Sequence, residues 1–207
     1  LQRRAEGADL ALAWGRKPSA RRAEALAARH GLPLWRLEDG FVRSLALGAQ
    51  SPPWSVVLDD EGIYYDASGP SRLERLVARP LTDPERARAR ALQALWQAQR
   101  VSKYNGARDS GFEVRDGDVL VVDQTAGDAS IAFGGADADR FRRMLEAALD
   151  EHPGARVLLK VHPDVLAGLK RGHFAPGTLP RGAASRIRWV AAPVHPPELL
   201  ERVEAVY

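Results

Sequence analysis

The sequence predicts an α/β protein with parallel sheets, and three features of the chain support that class. Short apolar runs alternate with amphipathic stretches, which is the order of a parallel sheet covered by helices. Of the 207 residues, 45% are hydrophobic, enough to form a substantial core. One polar, glycine-bearing stretch, residues 105–118, interrupts the alternation. We therefore predict two α/β units in tandem, residues 1–108 and 109–207.

The first unit is predicted to begin as a β-α-β segment. Residues 8–14 and 32–37 are apolar runs typical of strands, and the alanine-rich stretch 19–30 between them is typical of a helix. Ser19 is suited to cap that helix and Gly31 to end it.

The rest of the first unit is predicted to hold a hairpin and two helices. Residues 54–58 and 63–65 are strand-like and flank the acidic, glycine-containing turn 59–62, a pattern that predicts a β-hairpin. Helical spacing follows over residues 71–78 and 84–103, the second helix with Thr82 or Asp83 as its cap.

The second unit reads as strand, helix, strand, strand and helix, at residues 119–122, 137–150, 156–161, 187–191 and 197–203. Residues 204–207 have the composition of another strand that is just starting. We therefore expect the chain to be a fragment in which this unit is incomplete.

Composition excludes several classes of protein. The chain has no cysteine, which rules out a disulfide framework and thiolate metal sites. Its net charge is only +3, with charges of both signs interspersed, so a dedicated nucleic-acid groove is not expected. No apolar run approaches the roughly 18 residues of a membrane span, and the arginine-containing start is not a secretory signal. The expected location is the cytoplasm, unless a targeting segment lies outside this piece of sequence.

A cation and an imidazole stand at the end of the apolar run 156–159. Ligands of open α/β sheets bind at the carboxyl ends of the strands, where Lys160 and His162 are expected to lie. His162 can donate to a phosphate oxygen, Lys160 can offset its charge, and Pro163 restricts the chain as it leaves the strand. The alternative is a structural histidine that bonds a backbone carbonyl.

Two acids and a glycine, Glu38, Asp39 and Gly40, follow the strand-like run 34–37. Adjacent carboxylates repel, which favours the protonated form of one of them and suits it to general acid catalysis. Arg43 is close enough in sequence to pair with either acid. The alternative is an ordinary acidic turn.

Asp128 lies in a polar loop after the strand-like run 119–122, together with Gln124 and Ser130. A carboxylate among small residues and a hydroxyl is suited to act as a nucleophile or to orient a substrate. The alternative is an Asx turn, in which the carboxylate caps its own backbone. The sequence has no glycine-rich dinucleotide motif, no Walker loop and no histidine pair at metal-ligand spacing, so we expect neither a metal nor a cofactor.

Taken together, several ordered motifs resemble the capsular polysaccharide β-Kdo glycosyltransferases of the KpsC/LipA family. The similarity runs from about residue 9 to the end, and its motifs lie at residues 37–44, 59–67, 70–74, 102–105, 122–130 and 160–164. The resemblance implies a GT-B-like enzyme with two Rossmann-like domains, the second truncated in this chain. The acid-acid-glycine and His-Pro motifs also resemble bacterial sialyltransferases, which use a CMP-activated acidic sugar.

The resemblance also implies a reaction and a role for each candidate residue. Kdo would pass from CMP-Kdo to a lipid-linked Kdo oligosaccharide with retention of configuration and without a metal. Asp128 is then the nucleophile, and Glu38 or Asp39 the acid/base, with Glu38 preferred. The expected substrate-binding residues are His162, Lys160, Gln124, Ser130, Arg43 and Pro163, with Arg43 and Gln124 as partners for the donor carboxylate.

The expected partners are a CMP-activated sugar and a lipid-linked saccharide acceptor, with no nucleic acid. The lipid of the acceptor implies peripheral contact with the inner face of the inner membrane and with capsule assembly proteins. Two other functions stay open: transfer of another CMP-linked nonulosonic acid such as sialic acid, and a non-catalytic glycan-binding or assembly module.

Overall fold

Two units make up the chain, residues 1–104 and 105–207, in the computed structural model. The structure describes residues 7–46, 51–106, 108–180 and 182–207. No helix in these described ranges is long and apolar enough to cross a membrane.

The first unit contains a three-stranded sheet with the order β1-β2-β3. Strands β1 (Ala11–Trp14) and β2 (Leu34–Asp39) are parallel and are connected through helix α1 (Arg21–His30), which confirms the predicted β-α-β segment. Gly31 ends α1 in the left-handed conformation with φ 63°, as predicted. The predicted cap is wrong: Ser19 lies in a 3-10 turn that precedes α1, and the N-cap residue is Ala20, which forms no side-chain cap.

The predicted β-hairpin is also wrong. Strand β3 (Val56–Asp59) pairs antiparallel with β2, while Tyr64 and Tyr65 form a turn. The reason is Asp59, which is 1% exposed and accepts hydrogen bonds from the backbone N–H groups of Glu61, Gly62 and Arg72. Its carboxylate therefore bends the chain away from β3 instead of letting it return alongside.

Two helices complete the first unit, α2 (Arg72–Ala78) and α3 (Asp83–Ala98). Each begins with a capping box, Ser71 with Glu74 and Thr82 with Glu85. Helix α3 ends earlier than the predicted residue 103, because Arg100 adopts a positive φ of 51°.

The second unit contains a fully parallel sheet. The strand order is β6-β5-β4-β7, with bounds Val119–Val122 for β4, Val157–Lys160 for β5, Ile187–Val190 for β6 and Ala205–Val206 for β7. The helices are α4 (Ala129–Phe133), α5 (Ala138–Glu151), α6 (Pro163–Leu166) and α7 (Pro196–Leu200). The predicted elements are present. The short helices α4 and α6 were not expected, since each is too short to show helical periodicity.

Buried side chains cover both faces of this parallel sheet. On one face Val119, Val121, Val157 and Leu159 pack against Leu145 and Leu149 of α5. On the other face Leu120, Leu158 and Val190 pack against Val194 and Leu199. Each fully buried aliphatic side chain contributes about 1.5–3 kcal/mol relative to exposure. The polar residues that follow the strands therefore lie where the core ends, at the carboxyl edge of the sheet.

Candidate active site

Lys160 is the last residue of β5 and lies beside Val122, the last residue of β4. Its side chain is half-buried, and burial lowers the pKa of the ammonium below its usual 10.5. No carboxylate of the described residues forms an ion pair with it. A partly desolvated cation without a protein counter-ion is suited to bind an anion.

His162 caps the first turn of α6, and Pro163 is the first residue of that helix. The Nδ1 atom of His162 accepts a hydrogen bond of 3.1 Å from the backbone N–H of Asp164. In the neutral ring the proton is therefore on Nε2, which can act as a donor. The Asp164 carboxylate lies 3.4 Å from the Lys170 ammonium. Asp164 thus stabilises the turn after β5 and does not orient the imidazole through its side chain.

The pKa of His162 is lowered from the usual 6.5, first by burial of the ring. Among the charges around it, Asp164 and Asp123 raise this pKa, and Lys170 and Lys160 lower it. The fold therefore favours the neutral imidazole, in which Nδ1 keeps its bond to the Asp164 N–H and Nε2 is a donor.

We expect NMR titration of the His162 ring to show a midpoint below 6.5 and a proton on Nε2 above it. Because the folded-state pKa is depressed, the stability that this group contributes is complete above 6.5. It is lost as the pH falls through the folded value. In a His162→Asn variant, asparagine caps α6 without titrating, so the free energy of unfolding should fall less steeply with acid. A wild-type midpoint above 6.5 would contradict this.

Asp123 is the first residue after β4 and is only 2% exposed. Its Oδ1 accepts from the backbone N–H groups of Gln124, at 2.8 Å, and His173, at 3.0 Å. A Cβ on Gly172 would lie 2.1 Å from Asp123 Oδ2, so this close approach requires glycine. Asp123 therefore holds the segment around residue 172 against the end of β4. Asp123 is recognisable in the sequence as the first acid after an apolar strand, but its structural role was not predicted.

Asp128 is the N-cap of α4 and is exposed. Its Oδ1 accepts from the backbone N–H of Ser130 at 2.9 Å and from the Ser130 hydroxyl at 2.7 Å. The Asx-type cap that the sequence left open is thus present. It orients the carboxylate in the loop that follows β4, where Gln124 is also exposed.

Glu38 and Asp39 lie at the carboxyl end of β2, as predicted, but as its last two residues and not in the acidic turn that was the alternative. They pair with Val57 and Val56 of β3, a strand contact that the sequence pattern did not show. Neighbouring strand residues point to opposite faces of a sheet, so the two carboxylates diverge and have separate partners. The expected repulsion between adjacent acids in one turn does not apply.

Glu38 is half-buried and is held by donors from three segments. Its Oε1 accepts from the indole Nε1 of Trp14 at 3.2 Å and from the backbone N–H of Asp39 at 3.0 Å. Its Oε2 lies 3.4 Å from the Tyr65 hydroxyl, which accepts in turn from the backbone N–H of Arg16 at 2.9 Å. These contacts fix the orientation of the Glu38 carboxylate.

Gly15 makes room for this arrangement. It has a φ of 50°, and a Cβ at this position would lie 2.3 Å from the Tyr65 hydroxyl and 2.7 Å from Glu38 Oε2. Trp14 and Tyr65 were missed by sequence reasoning. Trp14 is the last residue of a parallel strand, and this position could have identified it as a site residue. Tyr65 lies in a region predicted to be a strand, so no sequence pattern indicated its contact with Glu38.

Asp39 forms an ion pair with Arg43, with 2.8 Å between its Oδ1 and the guanidinium Nε. Arg43 is 7% exposed and also donates to the Ser44 hydroxyl at 3.0 Å and to the Ser51 carbonyl at 2.8 Å. The sequence-predicted pairing of Arg43 with one of the acids is therefore present, with Asp39. The pair anchors the loop after β2, whereas no arginine of the described ranges forms an ion pair with Glu38.

The site residues thus form two clusters, one in each unit. Glu38, Asp39 and Arg43 belong to the first, and Gln124, Asp128, Ser130, Lys160, His162 and Pro163 belong to the second. In the described part of the chain, no group of three or more histidine or acidic side chains has the arrangement of a metal site.

The chain matches the family of capsule polysaccharide biosynthesis proteins over residues 9–111 and 86–207. It belongs to this family. It is 41% identical to the capsule polysaccharide modification protein LipA of Neisseria meningitidis serogroup A, over 98% of this chain and 29% of LipA. It is 36% identical to the lipopolysaccharide-processing protein LpsZ of Rhizobium meliloti, over 94% of this chain and 45% of LpsZ. The chain therefore spans less than half the length of these relatives.

Solved structures of KpsC from Thermosulfurimonas dismutans are similar to this family member. One, described as a beta Kdo 2,4 transferase, superposes with a TM-score of 0.90 at 38% identity, over 100% of this chain and 65% of that one. A second, described as a beta Kdo 2,7 transferase, has a TM-score of 0.56 at 28% identity, over 95% of this chain and 52% of that one. These similarities confirm the predicted KpsC/LipA resemblance and the GT-B-like α/β fold class.

Proposed function

We propose that this chain is the catalytic part of a retaining β-Kdo transferase that uses CMP-Kdo to extend a lipid-linked Kdo oligosaccharide. The observation that carries the proposal is the cation and donor pair at the carboxyl edge of the parallel sheet. Lys160 has no counter-ion among the described residues, and His162 presents Nε2 as a donor. The similarity to the named Kdo transferases supports the choice of sugar.

The phosphate of CMP-Kdo is proposed to bind Lys160 and His162. A CMP donor has one phosphate, so an ammonium and an imidazole N–H can stabilise the departing nucleotide without a metal or other cofactor. Pro163 restricts the backbone beside this phosphate. Gln124, in the loop after β4, and Ser130, in the first turn of α4, are proposed to bind the donor sugar. Arg43 is held by Asp39, which leaves the exposed Gln124 as the better partner for the donor carboxylate.

Asp128 is the proposed nucleophile of a double displacement. Its carboxylate attacks the anomeric carbon of Kdo, the bond between that carbon and the phosphate oxygen breaks, and CMP leaves with the electron pair. The acceptor hydroxyl then attacks the same carbon, gives its proton to Glu38 and releases Asp128. Two inversions retain the configuration, as in retaining glycosidases.

Glu38 is the better acid/base of the two neighbouring acids. Trp14, Tyr65 and the backbone hold its carboxylate, and among the described residues it forms no ion pair, whereas Asp39 is paired with Arg43. A base that receives a proton needs an oxygen that is not committed to a guanidinium. Asp39 is accordingly proposed to position the loop.

The acceptor defines the proposed surroundings of the enzyme. A lipid-linked saccharide lies at a membrane surface, so we propose that the protein works in the cytoplasm at the inner face of the inner membrane. Contact with that membrane would be peripheral, beside other capsule assembly proteins.

We expect the full-length protein to release CMP from CMP-Kdo and to extend a synthetic Kdo-terminated acceptor by one β-linked residue. Mass spectrometry would give the added mass, and NMR the anomeric configuration. A His162→Ala variant should bind CMP more weakly by calorimetry, since it loses the Nε2 donor. CMP-sialic acid is the matched donor control. Transfer from CMP-sialic acid alone would overturn the sugar assignment, and turnover of neither donor would favour a non-catalytic module.

A further inference from the structure

A row of aromatic rings leads from Glu38 to the protein surface. The Tyr65 hydroxyl contacts Glu38, and the Tyr65 ring packs edge-on against Tyr64, with 5.4 Å between centroids and an interplanar angle of 87°. Tyr64 in turn contacts Phe41, at 5.4 Å and 51°. The three rings are therefore continuous with the carboxylate to which we assign acid/base chemistry.

Phe41, the outermost of these rings, is 51% exposed. A single exposed apolar side chain is common on protein surfaces and needs no explanation. Phe41 differs because it is supported by a second ring and lies three residues from Glu38 in the sequence. An exposed aromatic ring beside a polar reactive group is the usual composition of a ligand site, in which the ring supplies contact area and the polar group supplies orientation.

A cation lies at the other end of the row. The Lys17 ammonium is 5.9 Å from the centroid of the Trp14 ring, and the Trp14 indole donates to Glu38. Lys17 is exposed, and within the described ranges it forms no ion pair with a carboxylate. The carboxylate of Glu38 is thus linked through the Trp14 indole to a cation and through the Tyr65 hydroxyl to a series of aromatic rings.

We propose that this row, from Lys17 and Trp14 through Glu38 to Tyr64 and Phe41, is the binding site for the acceptor saccharide. The aromatic rings of Phe41 and Tyr64 contact the apolar C–H face of a sugar ring, which every pyranose has. Lys17 binds a carboxylate, the group that distinguishes an acidic acceptor sugar from a neutral one. Glu38, between them, accepts the proton of the attacking hydroxyl.

This inference rests on the proposed function, and it assigns the row to the acceptor and not to CMP-Kdo. We therefore predict that substitutions in the row weaken binding of the acceptor and leave binding and cleavage of CMP-Kdo unchanged. Phe41→Ala should raise the KM for a synthetic Kdo-terminated acceptor about tenfold, the loss expected for one aromatic contact. Lys17→Ala should raise it about fivefold, as expected for an exposed ion pair. Hydrolysis of CMP-Kdo without acceptor, and the calorimetric affinity for CMP, should be unchanged in both.

Two matched variants control for the loss of surface area and charge. Leu45→Ala removes an apolar side chain that is 52% exposed, close to the value for Phe41. Lys103→Ala removes an exposed lysine 5.8 Å from the ring of Tyr104, an arrangement like that of Lys17 on Trp14. Both control variants should keep the wild-type KM for the acceptor. Phe41→Tyr retains an aromatic ring, so its KM should be much closer to the wild-type value than that of Phe41→Ala.

The outcomes separate the inference from the function on which it rests. If the wild-type protein transfers Kdo but the acceptor KM is the same in wild type, Phe41→Ala and Lys17→Ala, the acceptor site is wrong and the function stands. An equal rise of the acceptor KM in Leu45→Ala and Lys103→Ala would also overturn the acceptor site. If the wild-type protein does not consume CMP-Kdo at all, the proposed function fails and the acceptor site fails with it. Thermal unfolding of each variant verifies that the fold is intact.

Discussion

Replacing Asp128 with asparagine is expected to lower the rate of Kdo transfer by about 10⁴-fold, a typical loss when the nucleophile of a covalent mechanism is removed. In this variant the helix cap can be kept while the carboxylate is lost. Asp128 caps α4 through an oxygen that accepts from the Ser130 N–H, and an asparagine amide oxygen can accept the same bond. The fold should therefore persist while the attacking carboxylate is lost. Steady-state rates of transfer and of CMP release measure the effect.

A matched variant is available at a second helix cap. Asp137 caps α5 by accepting from the Arg140 N–H at 2.9 Å, so Asp137→Asn changes the same atoms at a similar position. It should retain wild-type turnover. Intact-protein and peptide mass spectrometry of the wild type should locate a Kdo adduct on Asp128. An adduct on another residue, or wild-type turnover by Asp128→Asn, would contradict the assignment.

Glu38→Gln is expected to lower transfer to the acceptor by about 10²- to 10⁴-fold, the usual contribution of general acid/base catalysis. The glutamine carbonyl can still accept from the Trp14 indole and the Asp39 N–H, so the local geometry should be kept. In the proposed double displacement, Glu38 acts when the acceptor attacks, after CMP has left. The variant should therefore accumulate the Kdo adduct, which rapid-quench mass spectrometry can quantify.

Asp39→Asn distinguishes the two neighbouring acids. It weakens the 2.8 Å ion pair with the buried Arg43, so its main effect should be a lower free energy of unfolding. The transfer rate at a temperature where the variant is folded should fall much less than in Glu38→Gln. If instead Asp39→Asn shows the larger fall in rate and no loss of stability, the acid/base is Asp39.

The second unit was predictable because a buried parallel strand reads as a continuous apolar run. Strands β4 and β5 are such runs, whereas the edge strand β6 contains Arg188, and each of the three appears within one or two residues of its predicted bounds. All parallel strands of a sheet end at the same edge. The positions of Lys160 and His162 at that edge therefore followed from the order of apolar and polar residues.

The surroundings of Glu38 could not be predicted in the same way. Its hydrogen-bond partners are 24 residues away, at Trp14, and 27 residues away, at Tyr65, and the sequence pattern predicted a strand at Tyr65. Whether Glu38 belongs to a strand or to a turn depends on the pairing of β2 with β3. The turn of the chain after β3, which removes Tyr65 from the sheet, depends on the buried carboxylate of Asp59, and in sequence Asp59 looks like part of an ordinary acidic turn.

The sequence by itself determined the α/β class, the succession of strands and longer helices along the second unit, and the residue types at the carboxyl ends of the strands, because apolar periodicity and chain direction are local properties. Only the tertiary structure decided what each polar residue does. It paired Asp39 with Arg43, placed Trp14 and Tyr65 on Glu38, and left Lys160 without a carboxylate partner in the described part of the chain. The physical reason is that hydrogen bonds and ion pairs join side chains that are distant in sequence, and their partners exist only after the strands have paired.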